Sequence, residues 1–409
     1  MKICFLLSTF AYDGIKRSVV CYANAMHDLG HEAWVGVLHD WPGKLSLRAA
    51  LRIPPERVIS WDGLGQGRRE AAIWRFFRRE RFDVVHANTR KMNHVGRWVA
   101  LAAGVPAIFA SEDNLCLGRS FLTRAEDRFL ARRSSGVIMI SEAVRRSFLD
   151  VERLPEEKVH VVRYGLPLDE IAAARRDEEF LQGFRARLAI PRGPTVVVAA
   201  RLDPMKSLET FVEAAALVRK RIPEAQFVLA GDGPEAGRLR ELRDARRLNG
   251  AFHFLGARQD VYDVLQLGDV VALCSAWEGI GLSLVEGMAL GRALVGTDVA
   301  GINEVLAHER NGLLVPPKDA VALAAAFARA LGDASLRGRL AAEGMRLAEE
   351  KFEVRKNAKQ LLDLYEASAK PTGRASRPNP RIRSIFREQP SSSSMEDRRG
   401  GSCRDSRLP

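Results

Sequence analysis

Two cations stand five residues apart in Arg201-Leu202-Asp203-Pro204-Met205-Lys206. On one short loop, such a pair suits a diphosphate: arginine offers a planar fork of donors and lysine a compact point charge. The plainer reading is two solvated surface cations. A second group is Glu278-Gly279-Ile280-Gly281-Leu282-Ser283-Leu284-Val285-Glu286. Its glycines open a helix, whose first backbone N–H groups have no intrahelical partner and make an anion site. Its two carboxylates are eight residues apart and need not touch the same ligand atom. Two glutamates near a helix start can also serve only to compensate the dipole. That reading fits Glu286 poorly, because Glu286 lies inside an otherwise apolar helix. Gly231-Asp232-Gly233-Pro234 is by itself a tight turn. Val299-Ala300-Gly301-Ile302-Asn303-Glu304 with Asn311-Gly312-Leu313-Leu314-Val315 is by itself a helix start and a turn.

The elements that must hold these groups alternate along the chain. Apolar runs at Lys2–Ser8, Glu32–Leu38, Asp83–His86, Ala107–Ala110, Gly136–Ile140 and Val159–Val162 read as strands, with helical patterns such as Ile15–Leu29 and Arg69–Arg81 between them. The pattern restarts at Thr195–Ala200 and continues through Gln226–Ala230, Phe252–Leu255, Val270–Cys274 and Ala293–Thr297. Repeated βαβ units imply parallel sheets with helices on both faces. Two doubly wound halves joined near Tyr164–Pro194 account for the body. Ligands of such sheets bind beyond the strands' carboxyl ends, which puts the candidate site in a cleft between the halves.

The chain has 409 residues, 46% hydrophobic and 28% charged, enough apolar material for two cores. Its longest apolar stretch, Trp98 to Ala110, is broken by Gly104 and Pro106 and is too short to span a bilayer, which takes about 20 residues. The run Ile3 to Leu7 is too short for a secretory signal and reads as a first buried strand. Five scattered cysteines show no metal-ligand spacing and fit a reducing compartment, so a cytoplasmic protein is expected. The net charge of +12 divides into +6 over residues 1–170, zero over 171–369 and +6 over 370–409. Residues from Lys370 onward, rich in Pro, Ser and Arg, are expected to be a disordered basic tail. Half of the basic excess lies there, so nucleic acid is not an expected partner. Arg68 to Arg79 is basic and aromatic. It reads either as a membrane-surface helix or as a packing helix with a solvated arginine face.

In their order, Arg201…Lys206, Gly231-Asp232-Gly233-Pro234, Glu278…Glu286 and Asn311-Gly312-Leu313-Leu314-Val315 resemble the retaining, nucleotide-sugar-dependent glycosyltransferases of the GT4 type. The resemblance covers about residues 1–368. It implies an α/β GT-B fold, with two Rossmann-like domains facing across a cleft. Residues 1–166 would be the acceptor side and 167–351 the donor side, with a final helix near 352–368 packing back on the first domain and a tail at 369–409. It implies that Arg201 and Lys206 bind the donor diphosphate, Glu278 the donor sugar, the amides at Gly281, Leu282 and Ser283 the phosphates, and Glu286 the ribose hydroxyls. Glu278, Arg201 and Lys206 would be the catalytic set, with no metal and no cofactor beyond the nucleotide-diphosphate sugar itself. The implied acceptor is a glycan or lipid-linked hydroxyl, in surface polysaccharide, lipopolysaccharide or glycolipid assembly; the basic first half and the Arg68–Arg79 stretch add an anionic membrane surface as a candidate partner.

The first half departs from that pattern. The family's glycine-rich first loop keeps only Gly14. His86 matches a histidine commonly found at a strand end, whereas Asp113 stands where the family often has a histidine near the reacting sugar, and Tyr164-Gly165 replaces Asn-Gly. Gly14, His86 and Asp113 are the acceptor-side candidates, although a lone strand-end histidine is also commonly a packed one. The departures leave open an inactive relative that binds a nucleotide sugar or a partner protein. A GT-B-shaped epimerase or phosphorylase is the other alternative.

Overall fold

A computed structural model describes residues 1–40, 46–116 and 118–369. The tail expected from Lys370 onward lies outside the described residues. Seven strands form the first sheet: β1 (Lys2–Thr9), β2 (Glu32–His39), β3 (Val58–Ser60), β4 (Val84–Ala87), β5 (Ala107–Glu112), β6 (Gly136–Met139) and β7 (Val159–Val161), in the order β3-β2-β1-β4-β5-β6-β7. Six form the second: β8 (Thr195–Ala199), β9 (Gln226–Ala230), β10 (Phe252–Gly256), β11 (Val270–Leu273), β12 (Ala293–Thr297) and β13 (Leu313–Val315), in the order β10-β9-β8-β11-β12-β13. Every pairing within both sheets is parallel. Helices cover both faces, which is why strands such as β6 and β11 read as unbroken apolar runs and are buried at every position.

The order reverses between β1 and β4 in one sheet and between β8 and β11 in the other. The crevice at each reversal is where the loops after those strands splay apart and a ligand enters. The loops after β8 and β11 carry Arg201, Lys206 and Glu278. The loop after β1 carries Asp13 and leads into Gly14.

The chain crosses between the halves twice. After β7 it passes through Leu166, and near its end it returns at Phe352 to place the helix Val354–Ala369 on the first half. The two crossings bond to each other: Leu166 N donates to Phe352 O (2.8 Å) and Val354 N to Leu166 O (3.0 Å). The returning helix buries Tyr365 against Phe109 and His86.

Ala107–Ala110 lies in β5 as expected, and the rest of the apolar run from Trp98 is the end of a helix, Arg90–Ala103, and the Gly104–Pro106 turn. One local reading changes and one is decided. Residues 313–315 form strand β13 rather than part of a turn; three residues after Asn-Gly leave little periodic signal. The Arg68–Glu80 helix is a packing helix and not a membrane-surface one. Its Ile73, Phe76 and Phe77 are buried in a cluster with Trp61 and Phe82, which leaves no apolar face for lipid.

Candidate active site between the two sheets

The loop after β8 turns through Pro204–Lys206 and presents Lys206 inward. Its Nζ lies 2.5 Å from Glu278 Oε2, and Ser275 Oγ donates to the same oxygen at 3.0 Å. Thus the two switch-point loops of the second sheet are tied by a partly buried charge pair. Arg201 is placed differently. Its side chain is 73% exposed and its Nε donates to Asp203 Oδ2 at 2.7 Å. It stands at the exposed rim of the loop.

Gly281 takes a left-handed conformation (φ +71°) and caps the helix Leu282–Ala289, so the amides of Leu282 and Ser283 open this helix at the interface. Leu282 packs against the first half: a Cβ on Gly14 would lie 3.0 Å from Leu282 Cδ1. Gly279 is pressed still closer, since a Cβ there would lie 2.1 Å from the Asp113 carbonyl oxygen. The halves therefore touch at the candidate site, and only glycine fits at the contact point.

One turn into this helix, Glu286 pairs with Arg17, which projects from the helix Gly14–Asp28 of the first half. Arg17 also stacks over Tyr262, 4.9 Å from the ring centre. Burial pushes the Glu286 carboxyl above its usual value, and Arg17 pulls it back. Burial opposes the Arg17 charge, but Glu286 together with Tyr12 and Cys21 outweighs it and raises the guanidinium pKa. A cavity of about 290 Å³ adjoins this pair on the side of the chain crossings, lined by Tyr12, Arg17, Pro167, Tyr262 and Glu353 among others.

A further cross-half contact is made by Glu304. It accepts from the backbone N–H groups of Glu142 (3.0 Å) and Ala143 (2.7 Å) and from Arg163 Nη2 (3.0 Å). A carboxylate of the second half thereby caps the Glu142–Glu152 helix of the first, where the helix dipole favours negative charge.

The acceptor-side candidates separate. Asp113, just beyond β5, lies at the cleft beside Gly279. Burial, then the charges of Glu112 and Asp13, push its carboxyl from 3.8 up to about 7. Gly14 is also at the cleft. His86 is not: it is 2% exposed, its Nδ1 shares a hydrogen bond with Tyr365 Oη (2.5 Å) and its Nε2 one with Ser111 Oγ (2.7 Å). Burial lowers its pKa to about 3. Both ring nitrogens are engaged beneath the returning helix, so His86 is a packed core histidine and the acceptor-side expectation for it is corrected.

Sequence reasoning missed Arg17, Ser275 and the role of Glu304. Arg17 meets a partner 269 residues away, and no spacing rule reaches that far. Glu304 lay within a quoted motif, but its partner is a helix N-terminus of the other half. Among the described residues, no group of three His, Cys, Asp or Glu side chains is placed to hold a metal.

Residues 12–170 match the Glycosyltransferase Family 4 domain and residues 193–333 match the Glycosyl transferases group 1 domain. The chain belongs to the family 4 glycosyltransferases. Its relatives include the alpha-D-kanosaminyltransferase of Streptomyces kanamyceticus, 31% identical over 241 residues, 58% of this chain and 62% of that one. The match therefore spans less than two thirds of that relative's length. The Escherichia coli UDP-Gal:alpha-D-GlcNAc-diphosphoundecaprenol alpha-1,3-galactosyltransferase is 25% identical over 272 residues, 64% of this chain and 70% of that one. In fold, the family member described here superposes on Anabaena HepE in complex with UDP-glucose with a TM-score of 0.79 at 23% identity, covering 90% of this chain and all of that one. The two facing parallel sheets are the GT-B arrangement.

Proposed function

We infer that the protein moves a sugar from a nucleotide-diphosphate sugar to a hydroxyl of a glycan or lipid-linked acceptor, with retention of configuration and without a metal. The observation that carries this reading is the Lys206–Glu278 pair at the switch point of the second sheet, beside a helix N-terminus. Those are the groups a departing diphosphate needs: a cation, a pre-aimed set of amides and a carboxylate to hold sugar hydroxyls.

In this reading the bond between the sugar C1 and the phosphate oxygen breaks, and the pair leaves with the diphosphate. Lys206, Arg201 swung in from Asp203, and the Leu282 and Ser283 amides stabilise the growing charge. The acceptor hydroxyl attacks C1 from the face the diphosphate leaves, and its proton passes to the departing phosphate oxygen. Glu286 holds the ribose once Arg17 releases it, so donor binding and the contact between the halves are coupled. Relatives support the substrate classes: the Anabaena structures hold UDP or UDP-glucose, and the E. coli enzyme's name gives a UDP donor and a diphosphoundecaprenol-linked acceptor.

A thermal-shift series with UDP, GDP, ADP and their sugars, without added metal, tests the donor site. One nucleotide class raises Tm by mass action. Lys206→Ala removes the shift and lowers turnover by about 100-fold or more. No shift from any nucleotide sugar, with a well-folded sample, rejects the assignment. A shift without transfer to any acceptor supports the inactive relative instead.

A further inference from the structure

The helix Phe121–Arg133 follows β5 and its Ser120 cap. It carries two apolar stripes. Leu130 and Ala131 face the core. The other stripe faces outward: Phe121 is 75% exposed, Leu122 is 77% exposed, and Ala125 and Phe129 are exposed with them. These positions recur every three to four residues, so they share one side of the helix. Single exposed apolar residues are ordinary; a continuous outward stripe is not.

Basic residues flank the stripe. Arg124, Arg128, Arg132 and Arg133 lie on the same helix. Arg90 and Lys91 open the neighbouring helix, Arg90–Ala103, which runs alongside in the same direction: His94 and Trp98 contact Glu126, and Trp98 stacks on Phe129 at 5.3 Å. Arg90 and Lys91 therefore lie at the Phe121–Leu122 end. None of these six cations forms an ion pair among the described residues; the nearby acids Glu126 and Asp127 are engaged by His94, Trp98, Arg97 and Arg119. Both helices begin at the carboxyl ends of their strands, so this end is on the cleft rim, eight residues beyond Asp113.

We propose that the outer face of the Phe121–Arg133 helix docks on an anionic lipid surface, lying in the plane of the headgroups with Phe121, Leu122 and Phe129 inserted. An apolar stripe edged by unpaired arginines is the composition of an in-plane interfacial helix. Each cation near an anionic leaflet adds attraction that salt screens. Docking there would set the cleft mouth, with Asp113 beside it, against the membrane. The surface is independent of the donor chemistry above and is tested separately from it.

Flotation of the full chain with phosphatidylcholine vesicles, alone or mixed with phosphatidylglycerol, is the experiment. The protein floats with the mixed vesicles, less so as salt rises, and stays behind with phosphatidylcholine alone. Phe121→Ser combined with Leu122→Ser weakens partitioning by about tenfold or more. Arg128→Glu combined with Arg132→Glu weakens it comparably. Arg75→Glu combined with Arg78→Glu, on the Arg68–Glu80 helix, leaves it unchanged. A cooperative melting transition like that of wild type shows that each variant folds. Flotation unaffected by the Phe121/Leu122 change overturns the proposal. So does a wild-type chain that ignores anionic vesicles, including one whose Phe121/Leu122 face instead mediates self-association in the ultracentrifuge.

Discussion

Residue types set the chemistry of the candidate site, but neighbours set their charge states. Asp113 shows this best. Half-buried beside Glu112 and Asp13, it binds its proton more tightly in the folded chain than in the unfolded one. The stability it contributes is complete below about pH 3.8 and is lost as pH rises through about 7. Asp113→Asn stays neutral and escapes that loss. The Tm of the variant minus that of wild type therefore grows from acid pH to about 7 and is flat above it; a difference independent of pH shows that Asp113 is not so perturbed. Lys206 and Glu278 act at the same scale. Their spacing was legible because both follow strands, whereas their direct contact was not. Arg201 and Lys206 looked equivalent in sequence, yet one is bound inside the site and the other waits on Asp203 at the rim.

At the scale of elements, the helix Leu282–Ala289 is the part to watch. Its start is defined by Gly281, and its approach to the first half depends on Gly279. A methyl at Gly279 must displace the Asp113 carbonyl, since 2.1 Å is far inside contact distance. Gly279→Ala therefore lowers kcat/KM by about 100-fold, the cost of a roughly 1 Å misplacement of reacting groups. Tm falls by only about 5 °C or less, because the strain is local and can be relieved by separating the halves. Steady-state kinetics alongside a melting curve decides it; full activity would mean that this contact opens during turnover. The same scale separates the Arg68–Glu80 helix from the Phe121–Arg133 helix. Both are rich in arginine and aromatics. The first spends its aromatics on Trp61 and Phe82, and the second leaves Phe121 outside.

For the whole molecule, two charged contacts join the halves beside the apolar ones: Arg17 with Glu286, and Glu304 with the Glu142–Glu152 helix and Arg163. Such contacts can break and re-form while each sheet stays intact, which is how a cleft admits a donor and then excludes water. Glu304→Gln keeps a hydrogen-bonding side chain but loses the charge that complements the helix N-terminus and Arg163. The open state gains, and the apparent KM for the donor rises about tenfold with kcat less affected. Small-angle scattering of the nucleotide-free variant then gives a larger radius of gyration than wild type. Identical scattering and KM would show that Glu304 does not hold the halves together.

The sequence by itself determined the two parallel sheets and the loops that bear the chemistry. Strand runs such as Gly136–Met139 and Val270–Leu273 are apolar on both faces, and the groups at Arg201–Lys206 and Glu278–Glu286 follow their strands directly. These signals are local, so periodicity and spacing carry them. Only the tertiary structure decided which charges meet. Arg17 finds Glu286 across 269 residues, Glu304 caps a helix of the other half, and His86 is sealed under a helix that returns 279 residues later. Those partners are set by how two sheets and a returning helix pack, and packing brings together residues that no spacing along the chain relates.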